Sequence, residues 1–186
     1  ENDNIYAYGY IDKEGSKSYL EDGDATLKGG EGADRIQVIS YFTADIDGGA
    51  NNDDIDISYS GDSIVKGGDG NDNIRSEYSL NNELYGGLGD DIIYIYAYST
   101  IGWNNNNHIV NKNDNGILDK ISIHYIDGGG GDDHLTFYGH YTNTYSGRVE
   151  TEIDGGAGDD IINVTDDRAG STSNSNGNEY GIASVK

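Results

Sequence analysis

The chain has 186 residues, with 34 acidic against 11 basic side chains and a formal net charge of −23. Such an excess repels nucleic acid and anionic membrane surfaces, so neither is an expected partner. Cysteine is absent, which excludes a disulfide framework and Cys-based zinc or redox sites.

Hydrophobic residues make up only 34% of a length that suits one or two domains. No apolar run approaches the ~20 residues needed to span a membrane. The chain opens at Glu1 with neither a start methionine nor a signal peptide, and so reads as a processed product or a segment of a longer protein.

Residues 1–28 read as a degenerate N-terminal rung or cap. The stretch Ile5-Tyr-Ala-Tyr-Gly-Tyr-Ile11 would be the first rung or cap, or would pair with an open roll end of another copy. The stretch from Ser18 to Gly30 resembles that from Ser58 to Gly68.

From Gly29 one phrase recurs, G-G-x-G-x-D-x-U with U aliphatic. It runs Gly29 to Ile36, Gly48 to Ile55, Gly67 to Ile74, Gly86 to Ile93, Gly128 to Leu135 and Gly155 to Ile162. The first four copies are 19 residues apart, and the next gaps are 42 and 27. A fixed period in this range signals a solenoid whose coils pack mainly on their neighbours. The longer gaps predict an inserted loop at about 99–120.

An aliphatic residue precedes each phrase by two places: Leu27, Ile46, Val65, Leu84, Ile126 and Ile153. Alternating apolar pairs follow most of them, such as Ile36 and Val38, Ile55 and Ile57, or Leu135 and Phe137. This alternation predicts short strands, and glycine recurs too often for helices. The expected fold is all-β: a right-handed parallel β-roll, or β-solenoid, of about 19 residues per coil. The roll is expected over 29–168, with a loose C-terminal rung or tail over 169–186.

Stacking the phrases aligns Asp34, Asp53, Asp72 and Asp91 in one column. Carboxylates one strand apart repel by roughly 1 kcal/mol per pair even in water. A hard divalent cation between the turns removes that cost. Calcium suits the site better than magnesium, because it accepts 6–8 oxygens in loose geometry.

The phrase resembles the nonapeptide of the repeats-in-toxin (RTX) family, the hemolysin-type calcium-binding repeats, over roughly residues 27–165. The resemblance implies one calcium between consecutive turns. The earlier turn offers the carbonyls of its second and fourth residues, the later turn those of its first and third, and both offer the aspartate. The first site would then be Gly30, Gly32, Asp34, Gly48, Ala50 and Asp53. The second would be Gly49, Asn51, Asp53, Gly67, Asp69 and Asp72, and the third Gly68, Gly70, Asp72, Gly86, Leu88 and Asp91. The fourth would join Gly87, Gly89 and Asp91 to Gly128, Gly130 and Asp133, provided the inserted loop leaves those turns adjacent. The fifth would be Gly129, Gly131, Asp133, Gly155, Ala157 and Asp160. Five calcium ions would bring the charge from −23 to −13. The family repeat carries motifs at both corners of an 18-residue coil. Here one corner carries them, which implies calcium along one edge.

Weaker signals have two readings each. Asn111 to Asp119 has the rhythm of a calcium loop, and equally of an Asn/Gly-rich turn. Tyr41, Tyr59, Tyr78 and Tyr98 recur once per coil. They form either an aromatic face for a glycan, ice, a partner or self-association, or ordinary packing on a half-exposed sheet. His108, His124, His134 and His140 lack zinc spacing and read as surface or loop residues. The acidic pairs fall at the repeated turns, whereas a catalytic site is irregular and occurs once, so no enzyme is expected.

The function expected is a secreted, extracellular or cell-surface calcium-binding roll in a surface layer, matrix fibre or adhesin, with self-association end to end or laterally. The alternatives are a calcium-dependent module of a larger secreted enzyme, or a glycan- or ice-binding face on the tyrosine side.

Overall fold

The computed structural model describes residues 1–8, 24–39, 43–58, 60–79, 81–100, 120–142, 147–167 and 182–185. The described strands are β1 (Asn4–Tyr8), β2 (Asp24–Glu31), β3 (Arg35–Ile39), β4 (Thr43–Ala50), β5 (Asp54–Ser58), β6 (Asp62–Asp69) and β7 (Asn73–Glu77). The chain continues with β8 (Asn82–Leu88), β9 (Ile92–Thr100), β10 (Lys120–Gly130), β11 (His134–Thr142), β12 (Gly147–Asp154), β13 (Ile161–Asp167) and β14 (Ile182–Val185). Odd strands make one seven-stranded sheet in the order β1-β3-β5-β7-β9-β11-β13. Even strands make a second, β14-β12-β10-β8-β6-β4-β2. Neighbours are parallel throughout, and successive strands alternate between the sheets, as in a parallel β-roll.

Register follows the repeat. Ile36, Ile55, Ile74, Ile93, Leu135 and Ile162 align across the first sheet. Leu27, Ile46, Val65, Leu84, Ile126 and Ile153 align across the second. These ladders face each other and form the core, in which Ile36 through Leu135 are fully buried. Burying one such side chain contributes roughly 1.5–3 kcal/mol. The terminal coils are less covered, and Leu27 and Ile162 are only partly buried.

Each long gap lies between neighbouring strands without breaking the stack. Gly87 pairs with Gly129 across the 42-residue gap, and Gly130 bridges Ala157 across the next. Residues 101–119, including most of the expected insertion, the Asn111–Asp119 rhythm and His108, lie outside the described residues, as do Tyr41, Tyr59 and residues 168–181. Within the expected C-terminal tail, Ile182–Val185 pairs with β12 as a parallel edge strand.

One reading needs correction. His124, expected at the surface or in a loop, is fully buried. It lies two places before Ile126, so strand alternation turns it inward. There it aligns with Thr151, and Ser63 and Asn82 occupy the same inward row in the preceding coils. His134 is exposed on the outer face.

Candidate metal centre

The glycine turns stack at the edge where the even strands hand over to the odd ones. Two constraints explain the glycines there. The second glycine of each phrase takes positive φ, for example +120° at Gly68. A Cβ on Gly68 would lie 2.0 Å from the Gly49 carbonyl oxygen of the preceding coil. Only glycine lets the coils approach that closely. Asn51 fills the fourth place of its turn at φ 78°, in the left-handed region that asparagine tolerates.

Six aspartates stand in the column. Each Oδ1 accepts a backbone N–H from the aspartate one coil earlier. Asp34 donates to Asp53, Asp53 to Asp72 and Asp72 to Asp91 at 2.8 Å each, Asp91 to Asp133 at 2.7 Å, and Asp133 to Asp160 at 3.0 Å. The fourth turn is therefore joined to the fifth despite the insertion.

The second carboxylate oxygen carries the chemistry. Asp34, Asp53, Asp72, Asp91 and Asp133 are 1–2% exposed, and in each the buried Oδ2 has no hydrogen-bond partner. Its surroundings make this worse. A Cβ built on Gly67 would lie 2.3 Å from Asp72 Oδ2 and 2.6 Å from the Gly86 carbonyl oxygen. On Gly128 it would lie 2.4 Å from both Asp133 Oδ2 and the Gly155 carbonyl oxygen. Two oxygens thus share each small space. The same arrangement holds for Asp34 with Gly48, Asp53 with Gly67, and Asp91 with Gly128. Buried charges are ordinarily paired or bound to metal, so five such atoms in a row point to cations.

The electrostatics of the column agree with this geometry. Burial, reinforced by the Asp72 and Asp34 charges, raises Asp53 to about 6. Burial, with Asp72, Asp133 and Asp90 nearby, raises Asp91 to about 7. Asp72 and Asp133 also rise, chiefly through burial.

The remaining expected donors are main-chain carbonyls. Those of Gly30, Gly49, Gly68, Gly87 and Gly129 abut the second glycine of the following turn. The third-place carbonyls are engaged: Ala50, Asp69, Leu88, Gly130 and Ala157 accept N–H groups from the fourth residue of the preceding turn, at 2.6–3.2 Å. A carbonyl has a second lone pair, so this bond leaves each able to bind metal. Among the described residues no group of three or more acidic, His or Cys side chains forms a metal cluster. Each position instead brings a carboxylate oxygen and a backbone carbonyl oxygen together, hard donors of the kind that calcium accepts.

Sequence reasoning passed over the fifth place of the phrase. Asn52, Asn71, Asp90 and Asp132 each accept the following coil's fifth-place N–H through Oδ1, at 2.8–3.1 Å. This second ladder runs opposite to the first and holds the turns in register. Its signal was the recurrence of Asn or Asp just before the metal-column aspartate.

Five of the described tyrosines pack on one another. Tyr96 stacks on Tyr138 at 5.0 Å, Tyr78 meets Tyr96 edge-on at 5.3 Å, and Tyr85 tilts onto Tyr125 across the other sheet. Among the described residues no helix is long and apolar enough to cross a membrane. Comparisons with protein-family models, with curated proteins and with solved structures find no match.

Proposed function

We propose that this chain is a non-enzymatic calcium-binding β-roll that works outside the cell in a structural or adhesive role, as part of a surface layer, matrix fibre or adhesin. The observation that carries this reading is the row of five buried, partnerless Oδ2 atoms at stacked glycine turns. Calcium supplies the positive charge that such a column needs. The aspartates grip it from both sides, the glycines keep the coils close enough to share it, and the aliphatic ladders exclude water behind it. Without the ion, five buried carboxylates oppose folding. With extracellular calcium the acidic chain folds, so folding is tied to compartment.

The test is circular dichroism during a calcium titration reversed by EDTA. The expected result is little β-structure in EDTA and a cooperative gain with calcium. Full β-structure in EDTA at neutral pH would overturn the reading.

A further inference from the structure

Three tyrosines in consecutive coils meet along the first sheet. Tyr96 lies in β9 and Tyr138 in β11, and Tyr78 follows β7 directly. Ile95, Ala97 and Phe137 are buried, so strand alternation turns Tyr96 and Tyr138 outward. The two are direct register partners, with rings 5.0 Å apart and 8° from parallel. Tyr78 donates its backbone N–H to the Tyr96 carbonyl at 3.0 Å, and its ring, 39% exposed, meets that of Tyr96 edge-on at 5.3 Å. Tyr85 and Tyr125 on the second sheet match less well. Their rings are 5.6 Å apart and tilted by 51°, and Tyr125 is in register with Glu83 instead.

Composition adds a second observation. Cysteine and methionine, the side chains that ordinarily absorb oxidising equivalents, are both absent. One tryptophan stands against sixteen tyrosines. An oxidant that meets this chain therefore draws its electrons chiefly from phenols.

We propose that Tyr96 and Tyr138 form a modification site, at which oxidation joins the two rings as dityrosine. The oxidant is hydrogen peroxide used by a haem peroxidase. Each phenol gives up one electron and its hydroxyl proton. Tyr78 is the entry point, because a radical on its exposed ring takes an electron from the stack behind it. Two such oxidations leave one radical on each stacked ring. The radicals couple through one carbon of each ring, ortho to the oxygen, and the hydrogen on that carbon moves to the oxygen to restore the phenol. Two hydrogen atoms are lost in all, and the peroxide leaves as two waters. The fold holds the rings together beforehand, so coupling within a chain outruns coupling between chains. Tyr96 and Tyr138 are one coil apart in space but 42 residues apart in sequence. The bond would thus close a loop across the longest break in the repeat and restrict the unfolded chain.

The test treats the full chain with hydrogen peroxide and a haem peroxidase, under conditions where circular dichroism shows the fold. The proposal needs the fold but no metal, so its failure is separate from that of the calcium reading. The oxidised monomer should gain dityrosine fluorescence. Tandem mass spectrometry of its peptides should find Tyr96 joined to Tyr138 with two hydrogens lost, and the linked chain should withstand more urea. Tyr138→Phe should lose this link, and Tyr96→Phe gives the same readout if the first variant fails to fold. Tyr78→Phe should form the link more slowly. Links scattered over other tyrosines, links only between chains, or none in the folded monomer would overturn the proposal.

Discussion

The backbone N–H of Asp53 donates to Oδ1 of Asp72, 2.8 Å away and one coil along. One carboxylate thus does two jobs. Oδ1 ties consecutive turns together, while Oδ2 faces the next turn's first carbonyl without a partner.

The two jobs separate in Asp72→Asn. The amide keeps an oxygen to accept the Asp53 N–H, removes the buried charge, and brings an N–H₂ toward the Gly86 carbonyl. The metal-free fold of this variant should be more stable than the parent's, because a buried unsatisfied group costs about 1–3 kcal/mol. Its calcium midpoint should rise by about tenfold or more, at ~1.4 kcal/mol per decade. Circular dichroism in EDTA, where the variant should hold more β-structure than the parent, and a calcium titration measure both. A variant that loses stability in EDTA as well as calcium affinity would contradict this division of labour.

Acid should partly replace calcium. Asp53 and Asp91 titrate at about 6 and about 7 in the metal-free fold, against an ordinary 3.8, and Asp72 and Asp133 are also raised. Between the ordinary and raised values the folded chain holds more protons than the unfolded chain. Stability therefore rises as pH falls from about 7 towards about 4, and is lost as pH climbs through the raised values. In EDTA, β-sheet circular dichroism should grow on acidification across this window. Calcium must displace those protons, so its affinity should weaken over the same range. A flat acid response in EDTA would show that the column is not charged as described.

Two second-place glycines give a matched pair. Gly68 and Gly30 have similar φ, +120° and +102°, but a Cβ on Gly68 would strike the Gly49 carbonyl at 2.0 Å, whereas on Gly30 it meets nothing within 4 Å. Gly30→Ala should cost only the conformational penalty of about 1–2 kcal/mol. Gly68→Ala adds a backbone collision and should cost clearly more, with calcium affinity falling as the coils are forced apart. Equal thermal shifts in calcium for the two variants would mean that close coil approach does not hold the turns.

Most of the fold was legible because one period set both levels of structure. The 19-residue repeat placed the first four turns, the glycine phrase itself placed the last two, and the alternation around Ile36, Ile55 and Ile74 placed the inward faces. The column of Asp34 to Asp91 followed from the same register. Two things escaped. The fifth-place ladder binds through side-chain oxygens to backbone N–H groups, a pairing that spacing alone does not announce. His124 follows the same alternation as Ile126, but a titratable side chain on an inward row runs against the usual preference for apolar residues there.

That histidine yields a separable effect. Burial lowers His124 to about 4, so it stays neutral inside the fold while the unfolded chain gains its proton near the ordinary 6.5. Between those values the unfolded state holds more protons, so this group's contribution is lost as pH falls, opposite in sign to the carboxylates. Four raised carboxylates against one imidazole leave the net acid response stabilising. His124→Gln keeps a polar side chain that does not titrate, so the variant should gain more stability than the parent on acidification in EDTA. Over the window from 6.5 to about 4 the difference should approach roughly 3 kcal/mol, at ~1.4 kcal/mol per pH unit. Circular dichroism of both proteins in EDTA at the two ends of that window, read as the ratio of folded to unfolded chain, measures it. Parallel pH profiles would mean that His124 is charged in the folded chain or reaches water there.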